Sequence, residues 1–446
     1  RFGFGGCLAD DMGLGKTSRV LALLAWWREV RGADPSAPRP SLIVVLRALV
    51  QNWMNEAAKF TPHLAVLDYS RTGRAASAEV IAEHDIVLTT YGTVRRDAPR
   101  LADVPFEYVI LDEAQAIKNA GTVSAKAVRL LRGRYRLALS GTPIENHLGE
   151  LWSLFEFLNP GLLGRASVFQ RAATASGSDP ETLAIAARGL RPFILRRTKA
   201  QVARELPART EQTIACELGE AERAFYDGLR QHYRDALLER VARVGMARSK
   251  IQILEALLRL RQAACHPGLV DAQRRADGSA KFDVLVPRLR ELADEGHKAL
   301  VFSQFTTLLG LLKPRLDDEG LTYEYLDGRT RDRQPRVDRF QEDPDCRLFL
   351  ISLKAGGVGL NLTAAEYVFL LDPWWNPAVE AQAIDRTHRI GQTREVFAYR
   401  VIASDTVEEK VLALQQSKRA LVDAVLTADA SGLRDLKKED LELLLS

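Results

Sequence analysis

Cysteine is scarce in this 446-residue sequence. Cys7, Cys216, Cys265 and Cys346 stand far apart, with no C-x-x-C pair among them. Such spacing argues against a disulfide framework and against a zinc site, and it fits a reducing compartment. Cys265 and His266 are adjacent, but no second pair completes a ligand set. No apolar run approaches the roughly 20 residues of a membrane span, so no membrane partner is expected. A strong charge excess is missing as well. Sixty-two Lys and Arg against 58 Asp and Glu leave a net charge of +4, which permits nucleic-acid binding without requiring it. Arginine outnumbers lysine, which suits phosphate contacts and equally suits a GC-rich genome. No initiator methionine precedes Arg1, so a fragment or trimmed domain is expected, with any targeting signal outside it. No internal repeat or low-complexity tract is evident.

What is present is ordinary for a folded chain: 46% apolar and 27% charged residues, with length for about three domains. Short apolar strands recur between helical patterns, the texture of a parallel α/β sheet. The first unit carries L-A-D-D-M-G-L-G-K-T, followed by a helical pattern from Ser18 to Val30. Glycines at 13 and 15 let backbone N–H groups approach a phosphate, and a following helix N-terminus favours anions. Lys16 would reach the β/γ-phosphates and the Thr17 hydroxyl would bind Mg²⁺. Asp10 stands where the strict phosphate-loop pattern has glycine.

The apolar strand Tyr108–Leu111 delivers Asp112-Glu113-Ala114-Gln115 at its end, where α/β sheets bind ligands. Asp112 would hold Mg²⁺ through water, and Glu113 would polarise the attacking water. A solvated helix start is the plain alternative. Further on, Arg188, Arg191, Arg196, Arg197, Lys199 and Arg204 form the most basic stretch of a helical region, either a DNA-facing strip or solvated surface. Asp271–Lys281 reads as a linker, and 174–181 as an inserted loop. Strand patterns restart at Lys298–Phe302, Leu348–Ser352 and Tyr367–Asp372, the second running into a loop, Lys354-Ala355-Gly356-Gly357-Val358-Gly359. Last comes D-P-W-W-N-P-A-V-E-A-Q-A-I-D-R-T-H-R-I-G-Q from Asp372 to Gln392. Its Arg386 and Arg389 are three apart, so on a helix both would face one side. Trp374 and Trp375 would stack on bases or support a core. These stretches suggest a site split between two lobes, with phosphates held by the first and transition-state charge neutralised from the second.

The segments L-A-D-D-M-G-L-G-K-T, D-E-A-Q, L-S-G-T-P-I-E-N, V-F-S-Q-F, L-K-A-G-G-V-G-L-N-L and D-P-W-W-N-P…D-R-T-H-R-I-G-Q occur in one order over nearly the whole chain. In that order the chain resembles the motor of the SWI/SNF family of DNA-translocating ATPases, in helicase superfamily two. The resemblance implies an α/β fold of two RecA-like parallel-sheet lobes with a P-loop, helical insertions and a C-terminal helical brace. Its expected divisions are 1–160 for lobe 1, 161–207 for a helical insertion, 208–278 for a helical region, 279–403 for lobe 2 and 404–446 for the brace.

It further implies ATP and Mg²⁺ as cofactors, with Asp11, Met12, Gly13, Leu14, Gly15, Lys16, Thr17, Gly359 and Asn361 on the nucleotide. Asp112, Glu113, Gln115, Arg386 and Arg389 would be catalytic, the arginines as fingers, with Thr17 and Asp112 at the metal. Asn52, Trp53, Thr90, Ser303, Gln304, Lys354, Gly356 and Gly357 would touch DNA. Leu46 and Ala48 depart from the family's Pro and Ser ahead of Asn52-Trp53. The expected partners are double-stranded DNA and a DNA-bound protein complex such as RNA polymerase or repair machinery. The compartment would be cytoplasmic in a prokaryote and nuclear in a eukaryote. A strand-separating or RNA-directed helicase and an ATP-gated scaffold are the competing functions.

Overall fold

The computed structural model describes residues 3–31, 40–72, 77–141, 148–164, 189–203, 205–356, 360–374, 377–389 and 391–413. The expected loop 174–181, the Pro143 end of the L-S-G-T-P stretch, Trp375, Gly357 and Gly359 lie outside them, as does most of the 404–446 brace. The chain divides into two compact units, with the sequence boundary between Arg204 and Glu205.

In the first unit the strands are β1 (Gly6–Leu8), β2 (Ser41–Val45), β3 (Val66–Asp68), β4 (Ile86–Thr90), β5 (Phe106–Leu111), β6 (Gly133–Leu139) and β7 (Ile194–Leu195). They pair in the order β3-β4-β2-β5-β6-β1-β7, and every described pairing is parallel. Strands buried on both faces need continuous apolar runs rather than alternation. β2 obeys this rule, with all five residues of Ser-Leu-Ile-Val-Val buried. Because the strands run the same way, their C-terminal ends share one edge of the sheet. That edge collects Ala9–Thr17 after β1, Leu46–Arg47 after β2, Thr90 at the end of β4, Asp112 after β5 and Ser140 after β6.

The second unit holds β8 (Arg209–Cys216), β9 (Ala299–Ser303), β10 (Tyr323–Leu326), β11 (Leu348–Ser352), β12 (Tyr367–Leu370) and β13 (Val396–Ala403). Their order is β10-β11-β9-β12-β13-β8, again parallel throughout. The period-2 geometry of strands splits the residues cleanly between two cores. Ala299, Val301, Leu348, Leu350, Phe369 and Leu371 enter one core. Leu300, Phe302, Phe349, Ile351, Val368 and Leu370 enter the other. Among the described residues, no helix is long and apolar enough to cross a membrane.

The expectation of two parallel α/β lobes therefore holds, while several local readings change. The stretch 208–278 opens with a strand, not a helix. β8 pairs along its whole length with β13, and its Arg-Thr-Glu-Gln-Thr run is the polar composition that an edge strand tolerates. Within 161–207, the described part contributes β7 to the first sheet. Asp271–Lys281 is no simple linker either, because the helix Ala280–Asp294 buries Lys281 completely.

Around that lysine lies a closed polar network. Its Nζ donates to the Leu371 carbonyl at 2.5 Å and the Val401 carbonyl at 3.0 Å, and it meets Glu408 Oε2 at 2.6 Å. Burial alone would lower the Lys281 pKa. Cys265, Glu408 and Asp372 reverse the sign and hold it above the ordinary lysine value.

Candidate nucleotide site and adjoining cleft

The turn after β1 runs directly into the helix α1 (Lys16–Arg31). Gly13 and Gly15 take φ of 88° and 73°, in the left-handed region that glycine enters without a Cβ penalty. A Cβ on Gly15 would also lie 2.8 Å from Ser18 Oγ. Lys16 Nζ donates to the carbonyls of Asp10 and Asp11 at 2.7 and 3.3 Å, so the ammonium lies across the loop. Leu14 is buried, whereas Asp11, Met12, Gly13, Lys16 and Thr17 keep part of their surface open.

Asp10, the departure from the strict loop pattern, is fully buried and braces the loop. Its carboxylate accepts from Arg197 Nε at 3.2 Å, Arg197 Nη2 at 2.7 Å and the Arg197 backbone N–H at 3.0 Å, and it also pairs with Arg19. The loop is further sewn to the segment that follows β7. Asp11 N–H donates to the Arg197 carbonyl at 3.0 Å, and Lys199 N–H donates to Asp11 Oδ2 at 2.9 Å. Arg197, with 32% of its side chain exposed, is thus committed to Asp10 within the fold. It neutralises the carboxylate that stands in a glycine's place. The basic stretch alone could not reveal this, since the two partners are 187 residues apart.

At the end of β5, Asp112 is buried, and its Oδ1 accepts the Glu113 backbone N–H at 2.9 Å. Burial first, then the neighbouring Glu113 charge, push its carboxyl up to about 7, against hydrogen bonds from Trp53 and Glu113 and the charge of Lys16. Glu113 has φ 49° and ψ 55°, a left-handed conformation costly for a non-glycine residue. Gln115 Nε2 donates to Glu113 Oε2 at 2.6 Å, and Ser140 Oγ donates to Gln115 Oε1 at 3.2 Å. A hydrogen-bonded relay thus links the ends of β5 and β6.

The DNA expectations fare unevenly. Trp53 lies in the helix α2 (Val50–Phe60), is 1% exposed, and donates its indole N–H to Asp112 Oδ2 at 2.8 Å. It cannot touch a polynucleotide, because its side chain is spent inside the fold. Asn52 beside it keeps some exposure. Thr90 caps the helix Tyr91–Asp103 by accepting the Thr93 N–H, and also lines an open cleft of about 580 Å³. Arg47, Arg71, Arg95 and Arg96 share that cleft, each exposed, with Asp68 as its one acidic side chain.

In the second unit Ser303 is fully buried. Its hydroxyl donates to Asp372 Oδ1 at 2.5 Å and accepts the Phe305 N–H at 2.9 Å. A phosphate contact by that hydroxyl is overturned for the same reason as for Trp53. The Gln304 backbone N–H joins it on Asp372 at 3.1 Å. Asp372, raised by burial, also faces Arg261 at 3.8 Å. Leu353–Gly356 forms one helical turn where a loop was expected, and the Lys354 side chain lies outside the description. Asn361 is exposed, and Trp374 packs partly buried against the core, the supporting use.

The two arginines do not share a helix face. The helix Pro377–Ile384 stops short of them. Beyond Asp385 the bonds tighten to Arg386 N–H on Ala383 and Thr387 N–H on Ile384, while the Arg386 carbonyl accepts from Leu362. Gln392 anchors the turn on the Thr363 and Ala365 carbonyls at 3.0 and 2.9 Å. Arg386 ends 1% exposed, and Arg389 stays partly open.

A parallel sheet with a glycine turn entering a helix after one strand, and an acidic pair after another, is the architecture of P-loop nucleotide-binding proteins. Within that class, the chain belongs to the SNF2-related family. The SNF2-related domain profile matches residues 2–269, and the helicase conserved C-terminal domain matches 280–391. It is similar to the putative ATP-dependent helicase/translocase YwqA of Bacillus subtilis, 36% identical over 100% of this chain and 49% of the relative. It is also similar to the TATA-binding protein-associated factor MOT1 of Saccharomyces cerevisiae, 32% identical over 98% of this chain and 27% of that one. This chain spans about half or less of the curated relatives it matches. Among solved structures it resembles the SWI2/SNF2 ATPase core of Sulfolobus solfataricus in complex with dsDNA, at 34% identity and a TM-score of 0.46, covering 99% of this chain and 92% of that one.

Proposed function

We propose that this chain binds ATP with Mg²⁺, hydrolyses it, and uses the cycle to move along double-stranded DNA and remodel complexes bound to it. The observation that carries the reading is the edge of the first sheet. The glycine loop with Lys16 and Thr17, the Asp112–Glu113 pair and the arginine-lined cleft all stand at the C-terminal edge of one parallel sheet. A loop of that kind grips phosphates, and a cleft lined by Arg47, Arg71, Arg95, Arg96 and the Thr90 hydroxyl suits a polyanion read through its backbone.

The residues present fit Mg²⁺, which prefers octahedral oxygen ligands and completes its shell with substrate phosphate and water. Thr17 would supply a hydroxyl, and Asp112 a carboxylate whose pKa is raised by burial and then by the neighbouring Glu113 charge. When bound, the ion would neutralise charge on the β- and γ-phosphates. Lys16 would bind the same phosphates, and Glu113 would orient the attacking water and accept its proton. Gln115 would hold Glu113 in place and report on the Ser140 strand end. Arg389 and Arg386, with Asn361 and the glycines 356–359, would act from the second unit, with the arginines taking up charge as it develops. Gly356, Lys354 and Gln304 would face the DNA backbone. The name of the similar YwqA, helicase/translocase, supports the motor reading for this chain.

ATP turnover measured side by side with duplex DNA, single-stranded DNA and RNA tests this. Stimulation by duplex, with displacement of a third strand from a triplex and no fork unwinding, is expected. Preferential stimulation by a single strand or by RNA, with efficient fork unwinding, would establish a helicase instead.

A further inference from the structure

Trp53 is buried within the first unit, yet its one polar side-chain atom is aimed at the Asp112 carboxylate. The helix α2 buries Val50, Trp53 and Ala57 along one stripe, the spacing that turns a helix face inward. The indole N–H meets Asp112 Oδ2 at 2.8 Å, while Oδ1 of the same carboxylate accepts the Glu113 backbone N–H at 2.9 Å. The Tyr91 hydroxyl donates to the Asp112 main-chain carbonyl at 2.7 Å. Asp112 is thus held at both carboxylate oxygens and at its backbone, just ahead of the strained Glu113. A buried indole has a fixed donor direction and no competing water. Each carboxylate oxygen has two lone pairs, so one on Oδ2 is spent on Trp53 and another stays open for a ligand.

We infer that Trp53 is a positioning residue for the metal-side carboxylate, its indole N–H fixing Asp112 in the orientation from which it engages nucleotide-bound Mg²⁺. The inference rests on the nucleotide reading above. It replaces a DNA contact with an internal one: exposed Gln51 of the same helix lines the arginine-rich cleft, whereas Trp53 is buried in the fold.

The test uses the full chain with Trp53→Phe, which keeps an aromatic ring and removes the donor. Binding of a fluorescent ADP is titrated with Mg²⁺, alongside duplex-DNA affinity and thermal unfolding. Outer-shell partners of metal ligands commonly change metal affinity by 10- to 100-fold, so the apparent Mg²⁺ requirement should rise by about ten-fold. ADP affinity without Mg²⁺ and duplex affinity should stay as in the wild type. An unchanged Mg²⁺ requirement in the folded variant overturns the inference, and weakened DNA binding with an unchanged requirement restores the DNA contact.

Should Trp53→Phe fail to fold, the ADP-bound wild type labelled with ¹⁵N at its six indoles carries the test. The indole signal displaced by Asp112→Asn must also shift when Mg²⁺ is added, and an Mg²⁺-insensitive signal overturns the inference. A wild-type chain that binds no ADP at all would overturn the nucleotide reading itself, and this inference with it.

Discussion

Glu113 occupies a left-handed conformation with its carboxylate tied to Gln115. Such strain persists only where the surroundings over-determine it. The Asp112 backbone, bound by Tyr91, and the Ser140–Gln115 bond supply that constraint here. Glu113→Gln should therefore leave nucleotide binding intact and lower turnover by about 10²–10⁴, the range for a lost general base. Lys16→Ala should abolish hydrolysis by removing the ammonium that lies across the loop. Fluorescent-nucleotide binding and phosphate release, measured on the same preparations, check both, and near-normal turnover by either variant would sink the assignment.

At the level of elements, the second unit is stitched through Lys281. Its ammonium joins the start of one helix to the end of β12, to β13 and to Glu408 near the start of the helical segment 407–413. Both partners are fully buried. Removing one leaves an uncompensated charge, a cost of about 3–5 kcal/mol, whereas replacing both with apolar residues is often near neutral. Lys281→Ala is accordingly expected to shift the chemical-denaturation midpoint of the second unit sharply downward. The double variant Lys281→Met with Glu408→Leu should recover most of that loss. Equal destabilisation by single and double variants would mean that packing, not the charge pair, is what matters.

At the scale of the whole molecule, the proposal divides labour between the two units. Arginine fingers typically contribute about 10³–10⁵ in rate, so Arg389→Ala should lower turnover within that range while ATP affinity changes far less. Arg389 is the cleaner test because Arg386 is buried and its loss would also disturb the fold. Contacts made to phosphates should render binding insensitive to DNA sequence and steeply salt-dependent, with a log–log slope of about −0.9 per phosphate neutralised. Replacing Arg95 and Arg96 by Ala together should flatten that slope, as read by fluorescence anisotropy across a salt series. An unaltered slope would move the DNA surface away from this cleft.

The sequence by itself determined the parallel α/β character and the position of the glycine turn and acidic pair. Those features live in short, contiguous runs: apolar strands without alternation, two glycines before Lys16, and two acids directly after Leu111. It also suggested the chemistry proposed here, because residue types within a few positions of one another set what a loop can bind. What it could not decide was the direction a side chain takes once the chain is folded. Trp53 and Ser303 sit in motifs that suggested DNA, yet packing turned both inward to carboxylates 59 and 69 residues away. Asp10 read as a broken pattern until Arg197 was brought beside it, and Lys281 read as linker until three carbonyl and carboxylate groups closed around it. Burial and long-range pairing are properties of the assembled sheet, and only the tertiary structure could supply them.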